Sequence, residues 1–387
     1  MRNRLREGNL AEFEPKDPVG GAGAHDMAWI ASALGVSKTT VFRALHNKGR
    51  VSPETRFKVL ELAENVRYRP NLLAAGLRAT RTRTVGMVVP GLSGSVVGRL
   101  SEGAEEAARE SGYRILLGVS HHDVDRESDL IAQFIERRVD GLLIVPTAVS
   151  EPTPAYRELR DRGIPFVLLD RMFWGDPIAD SVATDHWSGG HMLGRHLVET
   201  GRRRPAFVCL LADSTQPRSI VERCEGFRKA FADAGAEPPI EIVGQIMELV
   251  RAAAARAESE DPSDSFSDLL LRAMQEALLP YLDEHPFDAV FAAYDHAAAS
   301  AIHILAASGI AVPGRVAVVG FDDQDFTEYL NPSLTTIRQP FRRIGLTGMR
   351  LLVERMSGSR VGEDFRQIRI QPRLIVRRST GPDSPLT

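Results

Sequence analysis

A short stretch between residues 37 and 43 concentrates side chains that can bond to nucleic acid. Lys38 and Arg43 can donate hydrogen bonds to phosphate oxygens and to guanine edges, and the hydroxyls of Thr39 and Thr40 can bond to either. If this stretch is helical, these four side chains remain on its outer face, with Phe42 as the only apolar residue among them. The pattern predicts a surface that contacts DNA.

Two short helices would present those side chains. The segment MAWIASAL spaces its apolar residues for one helical face and is followed by Gly35, which adopts left-handed backbone angles at low cost. Ser37 then has the side chain of an N-cap, and Val41, Ala44 and Leu45 form the buried stripe of a second helix. Two helices joined by a short turn that contains glycine form a helix-turn-helix, whose second helix can enter a major groove.

A third helix follows directly. Ser52 is its expected N-cap and Pro53 fits its first position. We expect it to end near Arg69, because the residue before Pro70 avoids helical backbone angles.

The charge distribution agrees with a DNA-binding end. Residues 27–83 contain eleven Lys and Arg against three acids, a net charge of +8, whereas the whole chain is −3 and the remainder is therefore −11. A basic module on an acidic body is typical of a protein that meets nucleic acid with one of its parts. The alternative is an ordinary three-helix domain with a solvated basic face.

Three stretches, GVSKTTVFRAL, RVSPETRFKVLELAENVRYRPN and LLAAGLRATRTRTVGMVVP, resemble the lac and gal repressor (LacI/GalR) family of bacterial transcription regulators. The similarity continues to about Ser379. The resemblance implies that Lys38, Thr39 and Arg43 contact bases or backbone, and that residues 71–78 form a hinge helix in the minor groove. It also implies that Leu77 is a wedge between two base pairs, which bends DNA at the expense of stacking.

We therefore expect DNA contacts from the following residues: Ser37, Lys38, Thr39, Thr40, Arg43, Tyr68, Asn71, Ala74 and Leu77. Two positions on the second helix depart from the family, since Phe42 and His46 stand where Ser and Asn are usual. Gly76 lies inside the hinge helix, where glycine costs about 1 kcal/mol relative to alanine.

Length and composition limit the class of protein. A chain of 387 residues is too long for one core and indicates a small domain beside a larger one of two lobes. Residues 1–26 lack the apolar core of a signal peptide and are expected to be a flexible leader. Cys209 and Cys224 are the only cysteines and have no CxxC partner, as is usual for reduced, cytoplasmic proteins. We expect no membrane partner, no cofactor and no metal site, and we interpret the scattered histidines as solvated or capping residues.

From Thr84 onward, short apolar runs alternate with amphipathic segments. The runs TVGMVVP, YRILLGV, GLLIVP, PFVLLD, PAFVCLL, FDAVFAA and RVAVVGF predict buried parallel strands, with helices between them. The alternation predicts an α/β fold with doubly wound sheets. The resemblance adds a periplasmic-binding-protein-like arrangement of two lobes, linked by three crossovers around an effector cleft.

The predicted chain is thus an N-terminal all-α helix-turn-helix headpiece with a hinge helix, followed by a two-lobed doubly wound α/β effector domain. The expected boundaries are residues 27–70 for the headpiece, 71–83 for the hinge helix and linker, 84–380 for the effector and dimerisation domain, and 381–387 for a tail. Lobe 1 is expected to comprise about 84–184 and 341–368, and lobe 2 about 185–340 and 369–380.

Ligands of such sheets bind beyond the carboxyl ends of the strands. Polar residues that follow strands, together with positions implied by the resemblance, give the expected effector contacts: Ser93, Ser95, Asp170, Asp185, Arg223, Tyr294, Asp295, Asp322 and Phe341. Carboxylates and an arginine in one crevice suit a polyhydroxylated ligand, because each can bond two adjacent hydroxyls. We place Arg223 at the start of a helix. In the alternative interpretation, Arg223 forms an interlobe salt bridge and Asp322 caps a loop.

One segment, around residues 245–268, is roughly twenty residues longer than the connection usual in the family, and its role is open. An enzyme is not expected. The stretch GLSGS has Ser95 where a nucleophile elbow needs glycine, and neither a Walker loop nor a dinucleotide fingerprint occurs in the required context.

The sequence predicts a sequence-specific DNA-binding regulator, a repressor, that acts as a homodimer on a pseudo-palindromic operator. Its operator affinity would be controlled by a small-molecule effector, a sugar or sugar derivative. The alternatives are the same role with a nucleobase, nucleoside or other non-sugar effector, and a solute-binding or carbohydrate-acting protein without regulatory function.

Overall fold

The computed structural model describes residues 26–66, 68, 81–92, 95–147, 151–209, 217–243, 266–284, 287–358 and 364–381. The chain divides into two units, residues 1–82 and residues 83–387. Within the described ranges, no helix combines the length and the apolar character needed to cross a membrane.

The described part of the first unit forms three helices: α1 Met27–Ala33, α2 Lys38–Leu45 and α3 Pro53–Asn65. Ser37 and Ser52 are N-caps, as predicted, and each accepts a hydrogen bond from the backbone N–H three residues later, at 3.1 Å. Gly35 takes a positive φ of 61° in the turn between α1 and α2. The three helices pack around Ile30, Val41 and Val59, which are fully buried.

Helix α3 is shorter than the sequence suggested. It ends at Asn65 rather than near Arg69, with Val66 as its C-cap. The Tyr68 N–H donates a hydrogen bond back to the Ala63 carbonyl at 2.8 Å, which closes the helix before the proline is reached.

The second unit alternates strands and helices. In chain order these are β1 Thr84–Val89, α4 Ser95–Glu110, β2 Arg114–Val119, α5 Val124–Glu136, β3 Gly141–Ile144, α6 Pro154–Asp161, β4 Phe166–Leu169, β5 Asp180–Thr184, α7 His186–Glu199, β6 Pro205–Cys209, α8 Arg218–Asp233, β7 Ile240–Val243, α9 Phe266–Glu284, β8 Ala289–Ala292, α10 Asp295–Ala307, β9 Ala317–Val319, β10 Thr336–Arg338, α11 Phe341–Met356, β11 Gln367–Ile370 and β12 Arg373–Ile375. Short 3₁₀ turns lie at Asp325–Glu328 and Arg378–Thr380. The seven apolar runs match strands β1–β4, β6, β8 and β9, so the predicted α/β class is confirmed.

Among the described residues, ten of the twelve strands form two parallel sheets, one in each lobe, and β10 and β12 form a separate antiparallel pair. The first has the order β11-β5-β4-β3-β1-β2, and the second has the order β7-β6-β8-β9. Apolar clusters cover both faces of each sheet. In the first lobe α4 and α11 pack on one face and α5 and α6 on the other. In the second lobe α7 and α8 cover one face and α9 and α10 the other. This is the doubly wound arrangement that the alternation predicted.

The chain crosses between the lobes after β5, between β10 and α11, and after β11. Strand β11 pairs in parallel with β5, whereas β12 pairs antiparallel with β10 in the second lobe. The prediction ended the first lobe at about residue 368, but the pairing of Ile370 with Thr184 extends it by two residues.

Each lobe contains one pair of helices in backbone contact through glycines. A Cβ added at Gly103 of α4 would lie 1.8 Å from the Arg342 carbonyl oxygen, and one at Gly345 of α11 would lie 1.9 Å from the Leu100 carbonyl oxygen. In the second lobe, a Cβ on Gly190 of α7 would lie 1.9 Å from the Arg223 carbonyl oxygen. Only glycine permits this approach, so these residues fix how far apart the helices lie.

We expect Gly103→Ala to lower the free energy of unfolding by about 1–3 kcal/mol, because overpacking against backbone cannot be relieved by a rotamer change. A Cβ added at Gly98, on the same helix, would meet no neighbouring element within 4 Å. Gly98→Ala should therefore stabilise the protein by up to about 1 kcal/mol through helix propensity. Urea unfolding of both full-length variants measures the difference. An unchanged midpoint for Gly103→Ala would contradict the close contact of α4 with α11.

Candidate functional site

The outer face of α2 presents the predicted DNA contacts. Burial of Val41 and Ala44 against the first unit's core turns Lys38, Thr39 and Arg43 outward, and all three are exposed. The stem of Arg43 runs beside Gly49, where an added Cβ would meet it at 3.2 Å. Three flexible or short polar side chains thus share one exposed surface near a helix N-terminus, as groove recognition requires.

The remaining predicted DNA contacts differ in their surroundings. Ser37 and Thr40 bond to each other through their hydroxyls at 2.9 Å, so both take part in the cap of α2. Tyr68 is partly buried against the core of the first unit, and burial, aided by Asp26, raises the pKa of its phenol. Asn71, Ala74 and Leu77, together with the predicted effector contact Ser93, lie outside the described residues.

A buried arginine organises the interlobe region of the second unit. Arg223 is 6% exposed, and its Nη1 donates a hydrogen bond to the Ala293 carbonyl at 2.5 Å. Its guanidinium lies over the Phe321 ring, 3.8 Å from the centroid, and its Nη2 is 3.7 Å from Oδ1 of Asp322. These contacts balance the cost of removing a guanidinium from water. Arg223 is the sixth residue of α8, which begins at Arg218, so its predicted position at a helix start is wrong.

His186 completes the surroundings of Arg223. The Arg223 Nε–H donates to His186 Nδ1 at 3.2 Å, which leaves the proton of the neutral ring on Nε2. Burial, together with the charges of Arg223 and Arg369, holds the pKa of His186 well below its usual range, against an opposing contribution from the Asp170 backbone. His186 Nε2 is buried and faces the Asp170 backbone of the first lobe, outside ideal hydrogen-bond geometry.

Asp170 faces this region from the first lobe. It follows β4 directly and has a positive φ of 64°, a conformation that non-glycine residues seldom adopt and that often marks a functional site. Its Oδ1 is buried and also lacks a partner among the described residues. Burial raises the pKa of the Asp170 carboxyl, while the nearby charges of Arg171 and Arg223 act in the opposite direction. An unpaired acceptor on one lobe therefore lies close to the cationic group of the other.

Asp322 connects the same region to a crossover between the lobes. Its Oδ1 accepts a hydrogen bond from Gln339 Nε2 at 2.5 Å, and Gln339 Oε1 accepts one from Thr184 Oγ1 at 2.6 Å. Thr184 is the last residue of β5, and Gln339 lies in the segment between β10 and α11. Asp322 has a φ of 119°, so its backbone is strained as well. The Asp322 carboxylate is thus hydrogen-bonded, through Gln339, to two segments that link the lobes.

A second set of contacts holds the lobes together at α4. Ser95 donates from both its backbone N–H and its hydroxyl to Gln324 Oε1, each at 3.0 Å. Arg99, one turn later, donates to the Asp323 carbonyl at 3.2 Å and pairs with Asp325. Ser95, expected to contact effector, here forms part of this interlobe clasp.

The other predicted effector contacts are engaged by the protein. Asp185 is the N-cap of α7: it accepts from Ser188, and Gln371 also donates to it. Asp295 is fully buried and accepts from Gln324 N–H at 2.8 Å and Thr336 Oγ1 at 2.6 Å.

Two aromatic positions serve packing. Tyr294 precedes α10 as its N-cap residue and packs partly against two core clusters. Phe341 is 2% exposed and lies in the core of the first lobe, because the first turn of α11 inserts it between that helix and the sheet. Its surroundings are those of a core residue, and its effector contact stays a prediction.

Sequence reasoning missed His186, Gln339 and Gln324. His186 was grouped with solvated histidines, although it follows the predicted strand-end residue Asp185 and so shares its placement. Nothing in the local sequence singles out either glutamine.

Comparison with known proteins assigns both units. Residues 27–71 match the model of bacterial regulatory proteins of the lacI family, and residues 195–380 match that of a periplasmic binding protein-like domain. The HTH-type transcriptional regulator DegA of Bacillus subtilis (strain 168) is 30% identical over 356 residues, covering 91% of this chain and 97% of DegA. The HTH-type transcriptional repressor PurR of Escherichia coli O139:H28 (strain E24377A / ETEC) is 29% identical over 359 residues, covering 92% and 96%. A solved structure described as a transcriptional regulator CelR-cellobiose complex superposes with a TM-score of 0.63 at 28% identity, covering 92% of this chain and 99% of that one.

A helix-turn-helix together with a periplasmic-binding-protein-like unit defines a DNA-binding transcription regulator. The chain belongs to the lacI family of bacterial regulatory proteins. Its relatives are transcription regulators and not enzymes.

The pKa of Asp322 gives a pH-dependent prediction. Burial raises the pKa of this carboxyl to about 6, despite the opposing effects of Arg223 and Gln339, whereas an aspartate in an unfolded chain titrates near 3.9. The folded protein therefore binds the extra proton between about pH 4 and pH 6. The stability that Asp322 contributes is full below pH 4 and is lost as the pH rises through 6.

Asp322→Asn keeps the shape and cannot titrate, so the wild type should lose stability relative to this variant as the pH rises from 4 to 7. Urea midpoints of the two full-length proteins across this range measure the effect. A difference that stays constant with pH would contradict the raised pKa.

Proposed function

We propose that the protein is a repressor whose operator affinity is controlled by a small polyhydroxylated molecule, a sugar or sugar derivative, bound between the lobes. One observation carries the proposal. Asp170 Oδ1 on the first lobe is buried and has no hydrogen-bond partner among the described residues, and the buried His186 Nε2 on the second lobe faces the Asp170 backbone. Buried acceptors are rarely left unpaired, so Asp170 Oδ1 is best explained as a contact for a ligand that lies between the lobes beside His186.

The chemistry of this interlobe pocket favours hydroxyl groups. A carboxylate accepts hydrogen bonds, whereas a neutral His186 Nε2–H and the Arg223 guanidinium donate them, and a sugar hydroxyl can do both. Adjacent hydroxyls can therefore satisfy Asp170 and His186 together. The similar regulator CelR was solved with cellobiose, which supports a carbohydrate. A nucleobase or nucleoside is the second candidate, because a base edge also places a donor beside an acceptor.

The contacts around the proposed site link ligand binding to the relative positions of the two lobes. A ligand that bonds Asp170 and His186 stabilises the closed arrangement, in which Arg99 and Ser95 hold Asp325 and Gln324 across the lobes. A ligand shifts the equilibrium between two lobe arrangements only if it binds one of them more tightly than the other. A coupling of about 1–3 kcal/mol would change operator affinity by about 5- to 150-fold.

We infer that the repressor acts as a homodimer. Strand β2 is an edge of the first sheet, and its Leu116 and Leu117 are 42% and 47% exposed. An exposed apolar edge strand needs cover, and a second copy of the chain supplies it symmetrically. Two copies present two α2 helices, which suits a pseudo-palindromic operator.

A thermal-shift screen of sugars, sugar derivatives, nucleobases and nucleosides should identify the effector, since a ligand at 100 times its Kd adds about 2.7 kcal/mol of stability. With that ligand, we expect Arg223→Ala and Asp322→Ala to lose the effector response, measured by fluorescence anisotropy, and operator affinity without ligand together with the thermal midpoint checks that each variant is folded. Arg228→Ala is the matched control, because Arg228 lies on the same helix but forms a surface pair with Glu241. A normal response in Arg223→Ala would remove the pocket from the mechanism.

Light scattering of the full-length protein should give a dimer. Exchanging both Leu116 and Leu117 for serine should raise the dimer dissociation constant and weaken operator binding, since each buried leucine side chain contributes about 1.5–3 kcal/mol. Val124→Ser, at an exposed apolar position on α5 of the same lobe, should leave the dimer intact. A stable tetramer, or a dimer unaffected by the double exchange, would argue against this interface.

A further inference from the structure

The DNA-facing side of α2 carries an aromatic ring among polar groups. Phe42 is 38% exposed, and Lys38 and His46 lie one turn before and after it on the same stripe. Single exposed apolar residues are common on protein surfaces. What distinguishes Phe42 is its position, at the centre of the surface formed by Lys38, Thr39 and Arg43.

The Phe42 ring is held at the surface rather than folded onto the core. Its centroid lies 4.4 Å from that of the His46 ring, at an interplanar angle of 55°. The core cluster of the first unit takes Val41 and Ala44 from α2 and does not include Phe42. Contact with His46 covers one side of the ring, and the rest of the ring remains exposed for contact with DNA.

We propose that Phe42 determines operator specificity by contacting the C5-methyl group of a thymine in the major groove. That methyl is the one apolar group among the major-groove edges of the four bases, where all other readable groups are hydrogen-bond donors or acceptors. A phenyl ring has no hydrogen bond to offer to those groups or to phosphate. Contact with a thymine methyl removes apolar surface of both partners from water.

This contact would complement the polar ones. Lys38 and Arg43 can bond guanine edges or phosphates on either side, and Phe42 fixes the position of one A·T pair between them. Each half-site of the operator then contains a thymine whose methyl group, and not only its hydrogen-bonding pattern, is required. The inference rests on α2 entering the major groove, as the family's helix-turn-helix does.

The experiment selects operator sites from random duplex DNA with the full-length wild type, with and without the compounds of the effector screen. Each thymine of the selected half-site is then replaced singly by deoxyuridine, which removes only the methyl group. Affinities are measured by anisotropy at one fixed salt concentration. We expect one thymine per half-site at which the replacement weakens wild-type binding about fourfold, the effect of burying one methyl-sized group.

Two variants test whether Phe42 is the residue that contacts the thymine methyl group. Phe42→Ser should bind thymine and uracil sites equally well at that position. Phe57→Ser is the matched control, because Phe57 is an exposed phenylalanine, 65% accessible, on α3 of the same unit. It should keep the wild-type preference for thymine. Both substitutions are at exposed positions, and matching thermal midpoints would show that the helices are intact.

The inference is overturned if no thymine in the selected site is sensitive to loss of its methyl group, or if Phe42→Ser keeps the wild-type sensitivity. Failure of the DNA-binding function itself is distinguishable from these results. In that case the wild type would select no sequence from the random pool under any condition, which would also overturn the role of Phe42.

Discussion

The structure of the second unit depends on keeping one guanidinium buried. Arg223 is charged and nearly inaccessible, so every atom around it must offset the loss of water. The Ala293 carbonyl, the His186 ring, the Phe321 face and the Asp322 carboxylate do so, and they come from three different segments of the second lobe. A group with these requirements fixes the positions of its neighbours, and those neighbours form the second-lobe side of the proposed effector site.

Backbone contacts set where Arg223 can lie. Gly190 of α7 allows that helix to touch the Arg223 carbonyl of α8, and His186 is one turn earlier on the same helix. Helix α7 thus contributes both His186, which accepts the Arg223 Nε hydrogen bond, and Gly190, which makes room for the Arg223 backbone. From Asp322 the contacts continue through Gln339 to Thr184, at a segment that links the lobes. These hydrogen bonds join the surroundings of Arg223 to a segment that links the lobes.

Local features of this protein follow from its sequence. Ser37 and Ser52 cap their helices because a cap involves residues only three positions apart, and Asp170 and Asp322 follow strands because apolar runs reveal where strands end. Features that depend on contacts between distant residues do not follow. The pairing of His186 with Arg223 joins residues 37 positions apart through the packing of α7 on α8. The burial of Phe341 and the amide bridge of Gln339 likewise depend on how the lobes are assembled. Even the end of α3 is set by a bond from Tyr68 to Ala63 rather than by the nearest proline.

The central claim is that the interlobe pocket and the helix-turn-helix are energetically coupled in one molecule. The most direct test titrates full-length protein against its selected operator at fixed salt, without ligand and with the ligand of the effector screen at saturation. We expect operator affinity to change by about 5- to 150-fold between the two conditions while affinity for unrelated duplex stays the same. Equal operator affinity with and without saturating ligand, or an equal change on unrelated DNA, would contradict it.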